Sequence, residues 1–221
     1  DLERFRTGEV GRITVGTFQS VSSKMLPLVV ARMREQFPDV DIRVFECDID
    51  ADLTGALLRG ELDLSFGVGD WSGQFESLPL LDDPFALAAQ PGRFKPGAVK
   101  ITDLVGVPMI GQQLNSCQLL NENGLRAAGV EPSYVFRTND NGTVAAMVKA
   151  GLGVAVLPLL CFEADDPGIA LHPLRPSLPD RRISIAWRQG RTLSPVAERF
   201  IEISRDVAQQ FARDYAARHD D

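Results

Sequence analysis

Two histidines, three cysteines and 30 aspartates and glutamates are the side chains of this 221-residue chain that could act on a substrate or hold a metal. Their spacing supports neither. His172 stands beside Pro173 in a loop-like stretch and His219 lies in a polar tail, so both read as solvated surface side chains. No Gly-x-Ser-x-Gly elbow accompanies them, which leaves a Ser-His-Asp hydrolase without a scaffold. No Cys-x-x-Cys or His-x-x-x-His spacing occurs. Asp48, Asp50 and Asp52 imitate the first half of a calcium loop, but Leu53 stands where the turn glycine belongs and Arg59 where the bidentate glutamate belongs. Those carboxylates suit a helix start, where the dipole favours negative charge. Gly67-Val-Gly69 is one glycine short of a dinucleotide fingerprint, and no Gly-x-x-x-x-Gly-Lys phosphate cradle is present. The residues therefore predict a protein with no catalytic group, metal or cofactor, a binder rather than an enzyme.

What the chain supplies instead is uncharged polar side chains where strands give way to helices. Three junctions carry them: Thr17, Gln19 and Ser20; Gln112, Asn115 and Ser116; and Asn139, Asn141 and Thr143. Open parallel sheets bind ligands beyond the carboxyl ends of their strands, where helix N-termini expose backbone N–H groups. Ser, Thr and Asn also cap helices anywhere, so capping alone accounts for each residue taken singly. Their concentration at junctions of one kind is what makes them a candidate binding set.

The elements that must position these junctions repeat. Arg12-Ile-Thr-Val-Gly16 alternates as a strand, and Leu26, Val29, Val30, Met33 and Phe37 recur at helical spacing. Pro27 predicts a kink or a late start in that helix. Val40 to Phe45 alternates again, Leu53, Leu57 and Leu58 make a short helix closed by Gly60, and Leu62 to Phe66 is a third strand. The order recurs with a strand at Val107 to Ile110 and a helix carrying Leu119, Leu120 and Leu125. A strand at Tyr134 to Thr138, a helix at Thr143 to Ala150 and a strand at Val154 to Leu157 follow. Alternating strands and helices predict an α/β fold of two Rossmann-like lobes with parallel sheets. Pro84 to Ala89 and Ile183 to Trp187 read as a pair of crossover strands. A final helix bears Val196, Phe200, Ile203 and Val207 on one stripe, with a continuation from Ala208 to Asp221 expected to fray.

Composition narrows the partners. With 44% hydrophobic and 24% charged residues the chain has material for a real core, which excludes disorder and collagen. Cys47, Cys117 and Cys161 are too few and too scattered for a disulfide framework, so a reducing, cytoplasmic setting is expected. A net charge of -7 argues against nucleic-acid binding by this chain alone. The longest uncharged stretch, Ala150 to Phe162, is too short for a membrane span and contains Gly151, Gly153 and Pro158. No secretory leader is read at the start, which lacks a Met.

Gly11-Arg-Ile-Thr-Val-Gly16, Met25-Leu-Pro27, Phe37-Pro-Asp-Val40, Leu58-Arg-Gly-Glu-Leu-Asp-Leu64 and Ala150-Gly-Leu-Gly-Val-Ala-Val-Leu-Pro158 together resemble the effector-binding domain of LysR-type transcriptional regulators. Each motif alone is weak, while the ordered set covers essentially the whole chain. The resemblance implies a fold like that of type II periplasmic binding proteins, with residues 1–9 ending a linker. Residues 10–88 plus 189–221 would form the first lobe and 89–188 the second. It implies a small polar or anionic effector held between lobes, and a homodimer or homotetramer. DNA would be contacted only through an amino-terminal winged helix-turn-helix outside this chain. By positional matching, Ser20, Asn115, Ser116, Asn141 and Thr143 would line the ligand site. Thr17, Gln19, Asp50, Gly67, Gln112 and Asn139 complete the candidate set. Cys117 lies near the position where peroxide-sensing members keep a reactive cysteine, without a partner cysteine in the following helix. A periplasmic solute-binding protein of a transporter is the alternative on the same fold.

Overall fold

The computed structural model describes residues 2–69 and 71–219. The backbone divides into two compact units, Asp1–Asp82 with Arg182–Asp221, and Asp83–Arg181. The division thus falls at 82/83 and 181/182, several residues before the boundaries at 88/89 and 188/189 expected from the sequence.

In the first unit, helix α1 (Leu2–Arg6) precedes strand β1 (Val10–Thr17), helices α2 (Gln19–Lys24) and α3 (Leu26–Gln36), strand β2 (Asp39–Glu46), helix α4 (Asp50–Leu58), and strands β3 (Leu64–Val68) and β4 (Phe75–Asp83). Pro27 has the predicted effect: α2 ends at Lys24, and Pro27 sits in the first turn of a new helix, where its missing N–H breaks no bond. Gly60, at φ 74°, turns the chain out of α4 as only glycine does readily.

The second unit holds β5 (Phe85–Ala89), β6 (Val99–Lys100), β7 (Pro108–Gly111), α5 (Ser116–Ala127), β8 (Ser133–Arg137), α6 (Asn141–Lys149), β9 (Ala155–Pro158) and β10 (Ala170–Arg175). The chain then returns to the first unit through β11 (Arg181–Arg188) and the long helix α7 (Pro195–His219).

The sheets are mixed rather than purely parallel. The first unit's sheet runs β2-β1-β3-β11-β4, with β1 parallel to β2 and β3 but β11 antiparallel to β3. The second unit has a four-stranded sheet, β6-β10-β5-β9, in which β5 is antiparallel to both β9 and β10. It also has the parallel pair β7-β8, linked to the larger sheet by a bridge from Met109 to Val154. The chain passes between the units within two strands, at the end of β4 and at the start of β11. The segment Ile183 to Trp187 read as a crossover strand belongs to β11, while Pro84 to Ala89 follows the first crossing as β5 of the second unit's sheet.

Strands β4 and β10 lie where the sequence reading saw none. Each contains a proline, Pro79 or Pro173, which interrupts the pattern. Strand β4 tolerates it as an edge strand, where a missing N–H costs no ladder bond. His172 consequently lies in a strand, not a surface loop. It is buried, its Nδ1 is 3.2 Å from the Gly97 carbonyl, and its ring meets Phe94 edge to face.

Helix α7 also departs from expectation: it continues unbroken to His219 instead of fraying after Ala208, while residues 220 and 221 lie outside the described chain. Its stripe packs as predicted, with Val196, Phe200, Ile203 and Val207 all buried. Phe200 meets Phe66 of β3 at 6.2 Å between ring centroids. Each such fully buried side chain contributes about 1.5–3 kcal/mol.

Candidate functional site

The sequence-selected residues fall into two groups, one in each unit. In the first unit Thr17 ends β1, and Gln19 and Ser20 open α2. Thr17 and Ser20 are buried, and the Thr17 hydroxyl accepts from Ser22 Oγ at 3.3 Å. The Thr17 carbonyl accepts from the Cys47 N–H at 2.9 Å, which ties the end of β1 to the turn after β2. Asp50 is the first residue of α4, behind Ile49 in the cap position. Gly67 is buried under the ring of Trp71, which occupies the space a side chain would take. Its glycine is thus accounted for by packing of Trp71 against the strand.

The second unit brings its candidates together more tightly. Strands β7 and β8 run parallel with Gly111 opposite Arg137, so their carboxyl ends release two loops side by side. Those loops are cross-linked. The Thr138 N–H donates to the Gly111 carbonyl at 2.9 Å, the Gln113 N–H to Asn139 Oδ1 at 3.0 Å, and Gln112 Nε2 to Asn141 Oδ1 at 3.0 Å. Gln112 is further clasped through its backbone: its N–H donates to Gln118 Oε1 at 3.0 Å and its carbonyl accepts from Arg137 Nη1 at 2.8 Å.

Capping is divided between predicted and unpredicted residues. Asn115 caps α5, accepting from the Gln118 N–H at 2.8 Å. Helix α6 is capped by Asp140, which accepts from both the N–H and the hydroxyl of Thr143 at 2.6 Å. Asn139 and Asn141 are thereby released from capping and serve the loop cross-links. Ser116 opens α5 beside its cap.

Behind these loops lies a charged network that sequence reasoning missed. Glu122 is buried on α5, with Oε1 accepting from Gln118 Nε2 at 3.0 Å and from Arg137 Nη2 at 2.8 Å, and Oε2 from Arg126 at 3.1 Å. Burial pulls the Glu122 carboxyl upward, but the Gln118 and Arg137 hydrogen bonds and the nearby guanidinium charges outweigh it and hold it below its ordinary range. The Arg137 guanidinium also covers the Tyr134 ring at 4.1 Å, and Gln118 Nε2 donates to the Tyr134 hydroxyl at 2.7 Å. Burial, then the Glu122 charge, push the Tyr134 hydroxyl up to about 12.

Leu119 and Leu120 suggested an apolar inner face for α5. The buried face instead carries Cys117, Gln118, Asn121, Glu122 and Leu125, while Leu119 is exposed. The available signal was the i, i+4 pairing of Gln118 with Glu122 and of Cys117 with Asn121.

A second buried polar group stands at the chain crossings. Arg181 Nη2 is 2.5 Å from Asp83 Oδ2, with both residues almost fully enclosed. Asp83 Oδ1 accepts from the Leu160 N–H at 3.1 Å. Burial disfavours the Arg181 charge, but Asp83 more than restores it. Arg181 Nη1 lies 4.0 Å from Cys117 Sγ, and Cys161 also falls within the reach of the same guanidinium charge.

Among the described residues no group of three or more His, Cys, Asp or Glu is placed to hold a metal ion, and no helix is long and apolar enough to cross a membrane. The arrangement offers hydrogen-bonding amides and hydroxyls at strand ends, with its charges paired behind them.

Comparison with known proteins follows the same line. The family described as LysR substrate binding domain matches residues 6–209. The uncharacterized HTH-type transcriptional regulator YbhD of Escherichia coli (strain K12) is 27% identical over 198 residues, 87% of this chain and 62% of that protein. The hydrogen peroxide-inducible genes activator of Pectobacterium carotovorum subsp. carotovorum is 26% identical over 209 residues, 91% of this chain and 68% of that protein. The chain thus spans about two thirds of the length of these relatives. Among solved structures, the Synechocystis PCC6803 CcmR regulatory domain in complex with 2-PG is similar in fold. Its TM-score is 0.80 at 16% identity, over 90% of this chain and 98% of that one.

Proposed function

Because the chain belongs to the LysR substrate-binding-domain family, we propose that it is the effector-sensing domain of a bacterial LysR-type transcriptional regulator. It binds a small polar or anionic metabolite through the strand-end loops carrying Thr17, Gln19, Ser20 and Asp50, and Gln112, Asn115, Ser116, Asn139, Asn141 and Thr143. The observation that carries this reading is the family match over nearly the whole described chain, with relatives that are transcriptional regulators. The same observation favours it over a transporter's solute-binding protein. The domain itself breaks no bonds. An effector shifts its conformational equilibrium only by its differential affinity for the states involved. In a cytoplasmic homodimer or homotetramer that shift would move DNA-reading segments of the full-length protein. The test is a thermal-shift screen of this chain against a metabolite panel. Each hit is then added to the full-length gene product in a DNA-footprinting assay. Hits that leave the footprint unaltered would reject the regulatory role, and a screen without hits would reject the binding role.

The cysteines favour a second reading. Cys117 sits in the first turn of α5, with its Sγ 4.0 Å from Arg181 Nη1. One of the relatives is named for hydrogen peroxide. On this reading dilute peroxide alters Cys117 in the mass spectrum before it alters the more exposed Cys47, and an unaltered Cys117 closes the option.

A further inference from the structure

The polar groups of the second unit's loops are not equally spent, and what is left unspent specifies a ligand chemistry. Asn115 Oδ1 is committed to the Gln118 N–H and Asn139 Oδ1 to the Gln113 N–H. Each amide oxygen must face its N–H donor, so each Nδ2 is turned the other way. Gln112 is the converse: its Nε2 is committed to Asn141 Oδ1, which turns Oε1 away. Among the described residues Asn115 Nδ2, Asn139 Nδ2 and Gln112 Oε1 have no protein partner. Gln112 is more than nine-tenths buried and held through its N–H, its carbonyl and its Nε2, so its remaining acceptor has a fixed orientation.

Two oriented neutral donors and one oriented acceptor thus hang from two loops that are hydrogen-bonded to each other. The Arg137 guanidinium, which reaches these loops, is engaged by Glu122 and by the Gln112 carbonyl. The backbone amides of Gln112 and Gln113 are also taken, by Gln118 and Asn139. A bare carboxylate would satisfy the two donors and leave Gln112 Oε1 facing a second acceptor. A group with its own O–H beside the carboxylate satisfies all three.

Resting on the effector-binding reading above, we propose that these loops recognise the hydroxyl–carboxylate end of a 2-hydroxy acid. The carboxylate accepts from Asn115 and Asn139, the hydroxyl donates to Gln112, and the N-terminal end of the 12-residue helix α5 favours the negative charge.

The test uses probes that differ by one hydroxyl, malate against succinate and lactate against propionate, titrated by calorimetry into this chain. The hydroxylated member of each pair binds about five- to tenfold more tightly, the value of one hydrogen bond. The variants Asn115→Asp and Asn139→Asp keep the oxygen that holds the fold: at 115 the cap of α5, which Asp supplies as well as Asn, and at 139 the acceptor of the Gln113 N–H. They exchange the unspent donor for a negative oxygen. Both melt at the temperature of the parent chain and lose the hydroxy acid by more than tenfold. Equal binding of both members of a pair, or unchanged affinity in both variants, overturns the proposal. Absence of binding by all four probes overturns it as well. If other compounds of the metabolite panel still shift the melting temperature, the effector-binding reading survives either failure.

Discussion

Replacing Asp83 by Asn should destabilise the chain far more than the same change at Asp82, its neighbour. The two residues form ion pairs with consecutive arginines, Asp83 with Arg181 at 2.5 Å and Asp82 with Arg182 at 2.8 Å. They differ in surroundings: side-chain exposure is 0% and 3% for the first pair, and 51% and 62% for the second. Removing one partner of a buried pair leaves an uncompensated charge and costs about 3–5 kcal/mol. An exposed pair is screened by water and is worth about 0–1 kcal/mol. Asn at 83 retains an oxygen for the Leu160 N–H while removing the negative charge and the acceptor that face Arg181. Asp83→Ala orphans that N–H too and adds about 1–3 kcal/mol. With a urea dependence of about 2–3 kcal/mol per molar, Asp83→Asn lowers the unfolding midpoint by about 1–2 M, and Asp82→Asn by less than about 0.5 M. The assay is urea unfolding followed by far-ultraviolet circular dichroism. Coincident midpoints for the two variants would refute the assignment of Asp83–Arg181 as a desolvated pair. The double change Asp83→Leu with Arg181→Met should recover most of the loss, because no stranded charge remains.

Acid should act through Glu122. Its carboxyl is held below its unfolded value, so its stabilisation is complete above about pH 4.3 and disappears as pH falls through the folded value. Glu122→Gln therefore removes about 2 kcal/mol at pH 7 and leaves a flatter acid limb in a plot of stability against pH. Loss of the α5 cap by Asn115→Ala costs about 1 kcal/mol, read as a lowered thermal midpoint, whereas Asn115→Asp costs nothing measurable. Gly67→Ala drives a methyl into the Trp71 ring and displaces it from its packing against Leu53 and Leu57. The intrinsic fluorescence of a Trp187→Phe background, in which Trp71 is the remaining tryptophan, should then shift to the red; an unshifted spectrum contradicts the packing role of Gly67.

Most of the fold was legible because hydrophobic period and punctuation agree locally. The stripe of α7, the restart of the helix at Pro27 and the left-handed turns at Gly60, Gly129 and Gly151 all follow from residues within one or two turns of each other. Strands β4 and β10 were illegible for the converse reason. Pro79 and Pro173 interrupt the local pattern, and only partner strands from distant sequence give the remaining N–H and C=O groups somewhere to go. The same applies to the unit boundaries. Pro84 to Ala89 alternates like any strand, and nothing within it states which sheet it joins. That is decided by pairing with Ala155–Pro158 and Ala170–Pro173.

The candidate site divides along the same line. Positions at strand ends were legible, since an uncharged polar residue between a strand and a helix is visible in one dimension. Their roles were not. Asn115 turned out to be a cap, while Asn139 and Asn141 became cross-links, because Asp140 is the better-placed cap for α6. The buried charges behind the loops were hidden by the opposite bias. Gln118 and Glu122 look like surface residues of an amphipathic helix until Arg137, brought in by β8, supplies the partner that makes their burial tolerable. Polar burial of this kind depends on a contact between segments, so no window of local sequence reports it. Its consequence is local all the same: with Gln118 and Arg137 engaged by Glu122, the Gln112 backbone is gripped from both sides. The orientation of the loop amides is then set by a carboxylate that no ligand needs to touch.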